Sequence, residues 1–185
     1  MQENTLAGSF LFSAGLMTIL IFGFQLYTGK IGYIPFHKPI YLVDIIITWL
    51  GNVTGTYLFA QLIRLTRIYP AMADRVNELV AIKLNDQLGS VFVLSIFCGL
   101  LMFIAVDTFK NFNGSMIRFA AVFLPIMVFI LSGYEHCIAN TYYFSLAGAW
   151  DSHCLLVTIV MTLGNSVGGL IIPCYQKLFS IRQSA

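Results

Sequence analysis

Glu135 and His136 stand side by side in a segment that otherwise carries no acidic, basic or histidine residue from Phe119 to Trp150. A charge at the centre of a bilayer costs about 2.5 to 3.5 kcal/mol on insertion scales, so ionisable residues at that depth face a bundle interior or an aqueous path. Histidine has an unperturbed pKa of roughly 6.5 and exchanges a proton near neutral pH. An imidazole so placed can hydrogen-bond an anion or hand it a proton, easing its passage across an apolar barrier where lost water costs several kcal/mol. The alternatives are structural: a packed His136 bonded to a backbone carbonyl, and a Glu135 that holds a neighbouring helix. No nucleophile partner or i, i+4 zinc spacing accompanies the pair, so no catalytic residue is expected and the chain does not read as an enzyme. Cys98, Cys137, Cys154 and Cys174 show no paired ligand spacing, and neither a metal nor a cofactor is expected.

The elements that must position the pair follow from composition. Hydrophobic residues make up 58% of the 185 residues and charged residues only 10%, against about a quarter in soluble domains. Mean hydropathy is +0.84, and the chain reads as an integral membrane protein of one domain in a lipid bilayer. A formal net charge of +2 with no basic patch excludes nucleic acid as a partner. No basic region precedes the first apolar run, so a removable signal peptide is not expected. Apolar runs predict helices at about 6–28, 41–63, 87–106, 118–150 broken near 135, and 154–176. Three glycines within 23–32 predict that the first helix breaks, loops and partly re-enters, with a plain exposed loop as the alternative. The polar stretch 64–86, with mixed charges and Pro70, predicts a short helix outside the bilayer.

A weak repeat runs through these segments. Gly23 and its polar break precede Gly51-Asn52-x-x-Gly55, and Gly133 and its break precede Gly164-Asn165-x-x-Gly168. Corresponding interrupted segments in two halves point to an inverted repeat around a central transport site. Asn52 and Asn165 read equally as helix–helix glue and as pore donors. With the N-terminus outside, inner segments hold Lys30, Lys38, Lys110, Arg118, Lys177 and Arg182, and outer ones Arg64, Arg67, Arg75 and Lys83.

Ser132-Gly133-Tyr134-Glu135-His136-Cys137-Ile138-Ala139-Asn140 resembles the signature S-G-F-E-H-S-x-A-N of formate/nitrite transporters, and Gln25-Leu26-Tyr27-Thr28-Gly29 is similar to that family's L-F-T-G loop. The resemblance runs from the first predicted helix to the last. It implies an all-α membrane protein: an aquaporin-like bundle with two broken helices and an inverted repeat, of which five spanning segments are visible. It also implies a homopentamer in the bacterial inner membrane, each protomer passing small monovalent anions of weak acids such as formate or nitrite. By the same resemblance His136 is the central pore histidine, with Thr28 opposite it and Glu135 and Asn140 as structural support. Phe12, Leu16, Tyr27 and Phe129 fall at apolar constrictions, Arg118 where a lysine attracts anions, and Asn52 and Asn165 on the repeat asparagines. Nothing here matches the family's first helix, Gly99 replaces a usual Asn, Gln25 an acid, Tyr27 a Phe and Lys30 a frequent Asn. These departures keep a second expectation open, a non-transporting membrane scaffold or regulator that retains the fold.

Overall fold

The computed structural model describes residues 5–179; Arg182, counted above among the inner charges, lies outside them. Among the described residues every regular element is helical: α1 (Thr5–Ile21), α2 (Tyr27–Lys30), a 3-10 segment (Ile31–Phe36), α3 (Tyr41–Arg64), α4 (Tyr69–Leu84), α5 (Leu88–Asn111), α6 (Ser115–Leu131), α7 (Cys137–Ala147) and α8 (Ser152–Leu178). Helices α3, α5 and α8 are long and apolar enough to cross a membrane, and α1 and α6 are shorter apolar helices of 17 residues. Leu42, Ile46, Leu50, Leu58 and Leu62 of α3 point outward, as suits a surface whose solvent is lipid.

The first predicted helix was expected to reach residue 28, and α1 stops at Ile21. The cause is a C-terminal cap. Gly23 takes a φ of +68°, Phe24 N–H donates to Ile19 O at 2.9 Å, and Gly23 N–H donates to Leu20 O at 3.4 Å. This is a Schellman motif, which satisfies the last carbonyls and turns the chain out of the helix. α6 ends by the same device: Gly133 has φ +70°, Tyr134 N–H donates to Phe129 O at 3.0 Å and Gly133 N–H to Ile130 O at 3.1 Å. After each break the chain re-enters as a half-helix, α2 with its 3-10 extension in one case and α7 in the other.

The asparagines of the repeat hold these breaks. Asn52 Oδ1 accepts from Tyr27 N–H at 2.8 Å and its amide donates to Gln25 O at 2.9 Å. Asn165 Oδ1 accepts from Cys137 N–H at 2.9 Å, while its amide donates to Glu135 O at 2.9 Å and Ser95 O at 2.8 Å. The first orphan N–H of each half-helix thus gains a partner. Both amide N–H bonds of Asn165 go to backbone oxygens, so it has none left to offer an anion.

Around the breaks the helices divide into two packed groups. Leu16, Met102, Val122, Ile126 and Phe129 join α1, α5 and α6. Ile45, Val76, Val80, Phe144 and Met161 join α3, α4, α7 and α8. α5 and α8 touch through glycines: a Cβ on Gly168 would stand 1.9 Å from Ile96 O, and one on Gly99 2.2 Å from Asn165 O. The departure at Gly99 therefore has a local reason, since any side chain there would strike the backbone of α8. The polar stretch after α3 folds as α4, which buries Val76 and Val80 and turns the Arg75–Glu78 pair to its open side.

Candidate functional site

His136 is the residue that precedes α7, in extended conformation at φ −107°, and its Nδ1 accepts from Ala139 N–H at 3.1 Å. A ring that caps a helix through Nδ1 carries its single proton on Nε2. Nε2 lies 3.0 Å from Thr28 Oγ1 on α2, so Nε2–H donates to the Thr28 hydroxyl, which keeps its own proton to donate. The two half-helices thus meet at one hydrogen bond, and both side chains are buried.

Aromatic rings surround this contact. The Phe129 ring centre lies 6.0 Å from that of His136, the Phe12 ring 6.5 Å from it, and Phe12 and Phe129 meet edge-on at 5.5 Å. A cavity of about 280 Å³ opens on one side, lined by Phe12, Lys83, Phe129, Tyr134, His136 and Asn140 among others. A second, of about 240 Å³, lies beyond, lined by Phe12, Leu16, Leu26, Met102, Thr56 and Ile138 and sharing Phe12, His136 and Ala139 with the first. A third, of about 70 Å³, shares Ile19 and Leu26 with the second and ends at Lys30 and Lys110. The three cavities form a chain with the imidazole at the first junction.

The structure gathers most of the residues marked in the sequence: His136, Thr28, Phe12, Leu16 and Phe129 all lie at this junction. Tyr27 does not. Its hydroxyl turns into α8, 2.6 Å from Ser166 Oγ and 3.5 Å from Thr162 O, and its ring joins the core, lining none of the three cavities. The neighbouring Leu26 lines two of them instead. Arg118 also lies apart. Its Nε donates to Phe112 O at 3.1 Å, its guanidinium sits 5.5 Å from the Phe109 ring centre, and it closes the turn between α5 and α6.

Glu135 points away from Thr28. Its Oε2 accepts from Lys83 Nζ at 2.7 Å and from the Asn140 amide at 2.5 Å, with the lysine and glutamate side chains only 13% and 7% exposed. A pair so enclosed needs both members, because either charge alone would be left without compensation. Lys83 reaches from α4 into the first cavity, and the sequence reading counted it only as a loop charge. Its spacing held a signal: Val76, Val80 and Lys83 follow one helical face, and the two valines are buried. No group of three His, Cys, Asp or Glu residues able to hold a metal occurs among the described residues.

Known proteins are similar to this chain in sequence and in fold. The chain is 27% identical over 202 residues to the formate channel BtFdhC of Bacillus thuringiensis, covering 96% of this chain and 75% of that protein. It is 26% identical over 178 residues to the nitrite transporter NirC of Escherichia coli, covering 86% of this chain and 65% of that protein. Its fold matches a pentameric formate channel solved with formate bound at a TM-score of 0.76, with 22% identity over 96% of this chain and 84% of that one. It matches an FNT family ion channel at a TM-score of 0.83, with 23% identity over 95% of this chain and 77% of that one. The formate/nitrite transporter family model matches residues 2–177, and the chain belongs to that family of integral membrane, multi-pass channels and transporters, not to a family of enzymes.

Proposed function

We propose that the chain passes small monovalent anions of weak acids, of the formate and nitrite class, along the three cavities and past His136. The observation that carries this reading is the Thr28–His136 bond enclosed by Phe12 and Phe129 between two cavities. An anion arriving in the first cavity meets the Lys83 ammonium, then loses water at the aromatic pair, where nothing else compensates its charge. The Nε2–H of His136 and the hydroxyl proton of Thr28 are the donors within reach. The anion takes the place of Thr28 as acceptor for Nε2–H. A second proton on Nδ1 would release the Ala139 N–H and turn the ring into a cation facing the anion, so flux should rise as pH falls. Glu135 and Asn140 brace the break and keep Lys83 at the cavity wall. The chain acts in a bacterial inner membrane as a homopentamer with one path in each protomer, a state that native mass measurement in detergent reads directly.

Uptake of formate and nitrite into proteoliposomes tests this. His136→Ala should cut uptake roughly ten-fold at acidic pH and flatten its dependence on pH. Flux unchanged at every pH would remove His136 from the path. A second reading, a scaffold that keeps the fold without transport, draws on the α3 glycines Gly51 and Gly55, beside which a Cβ would meet nothing within 4 Å. Uptake no greater than in protein-free vesicles would favour it.

A further inference from the structure

The third cavity contains charge that the reading above does not use. Lys30, at the end of α2, and Lys110, in the last turn of α5, both line it, while no Asp or Glu does. Their convergence follows from the fold. Gly29 approaches α5 so closely that a Cβ would stand 3.4 Å from Val106, which brings the next residue, Lys30, beside that helix. Lys110 follows Val106 by four residues and so shares its face of α5.

Each lysine is also positioned from behind. Lys30 Nζ is ion-paired with Asp44 of α3, a carboxylate 51% exposed that lies outside the cavity wall. Lys110 Nζ sits 4.8 Å over the ring of Tyr33, whose hydroxyl donates to Asp107 Oδ1 at 3.2 Å. Both acids thus stand outside the wall, Asp44 paired with Lys30 and Asp107 bonded to the Tyr33 hydroxyl, and the lysines share the lining with the uncharged Gly23, Phe24 and Gln25. A low-dielectric wall focuses such a potential and raises the local concentration of counter-ions.

We infer that Lys30 and Lys110 form a collecting site for small monovalent anions at the mouth opposite Lys83. The inference rests on the transport reading for its purpose, though not for its test. A path with Lys83 at one end and this pair at the other presents cations to an anion entering from either side. Arg118, engaged in its own turn, has no part in it.

The site is read by a cysteine at Gln25, which lines the cavity, in a chain carrying Cys174→Ser to remove the exposed native thiol. The probes are an anionic and a cationic methanethiosulfonate, applied to purified protein in detergent, and the quantity is the ratio of their labelling rates. Lys30→Gln with Lys110→Gln should lower the anionic-to-cationic ratio roughly ten-fold at low salt, and about 1 M salt should remove most of the difference. Lys30→Arg with Lys110→Arg should keep the ratio within about two-fold of the parent, since the charges remain. Asp44→Asn, which removes the carboxylate paired with Lys30 and leaves both lysines in place, should raise it. A ratio unchanged by the double Gln variant, or lowered by Asp44→Asn, overturns the site. If the ratio falls as expected while unaltered protein passes no formate into vesicles, the collecting site stands and the transport reading fails. If formate uptake occurs, its half-saturating concentration should rise several-fold in the double Gln variant.

Discussion

The break after α1 and the break after α6 share their backbone and part company in their side chains. Each ends its helix with a positive-φ glycine, Gly23 or Gly133, inside the same pair of capping bonds. Each hands the first N–H of the following half-helix to an asparagine from a distant helix, Asn52 or Asn165. At one constant offset in the sequence, Gln25 then corresponds to Glu135, Leu26 to His136 and Tyr27 to Cys137. The backbone turn requires the glycine and the asparagine; it makes no demand on the residue just before the half-helix. One copy uses that freedom for an imidazole and the other for a leucine, so the linked cavities gain one imidazole and a second apolar wall.

The two halves also differ in how their glycines are covered, and the largest predicted effect follows from this. In α8 a Cβ on Gly164 would stand 2.5 Å from Ser95 Cβ, and one on Gly168 1.9 Å from a carbonyl of α5; in α3 neither Gly51 nor Gly55 has an atom within 4 Å of that position. Small residues let two membrane helices approach, and only α8 has its partner against it among the described residues. Gly168→Leu should cost more than about 3 kcal/mol and abolish the monodisperse folded protein in detergent, because overpacking here meets backbone. Gly55→Leu should cost less than about 1 kcal/mol. The measurement is the folded fraction by size exclusion and the thermal midpoint; an equal loss at both positions would show the α3 face covered in the assembled protein.

Next in size is the pair of asparagines. Asn165 is fully buried with three backbone partners, so Asn165→Ala should lower stability by about 2 to 4 kcal/mol. Asn52 has two partners in a more open setting, and Asn52→Ala should cost about 1 kcal/mol. Thermal denaturation in detergent ranks them. A reversed order would mean that the first break, and not the one carrying His136, is held more tightly.

How far these features were legible in the sequence depended on whether they were local. The glycine breaks, the Gly-Asn-x-x-Gly repeat and the costly His136 announce themselves within a few residues, and Thr28 follows from the loop resemblance. What was not legible needed a view across helices. Lys83 was hidden because its partner Glu135 is distant in sequence and because α4, though polar, packs one face on α7. Arg118 reads in the sequence alike as a helix anchor at the headgroups and as an anion-attracting residue, and neither reading contains its bond across the turn to Phe112 O. Lys30 and Lys110 come together through the close approach of Gly29 to Val106, which neither run of sequence contains alone.

Tyr27 and Leu26 give the smallest predicted effect and the most specific one. The resemblance of Gln25-Leu26-Tyr27-Thr28-Gly29 to an L-F-T-G loop assigned the constriction to Tyr27. A phenol hydroxyl is different from a phenyl edge: it needs a partner when buried, and Ser166 and the Thr162 carbonyl on α8 provide one, drawing the ring away from the three cavities. Leu26, which corresponds to His136 in the repeat, lines two of the cavities instead. Tyr27→Phe should cost about 1 kcal/mol of stability, the net worth of one hydrogen bond. It should leave formate uptake per folded protein unchanged, whereas Leu26→Ala, which joins the second and third cavities more widely, should raise uptake with little change in the response to pH. A Tyr27→Phe variant with altered uptake and a silent Leu26→Ala would return the constriction to Tyr27 and end the equivalence between Leu26 and His136.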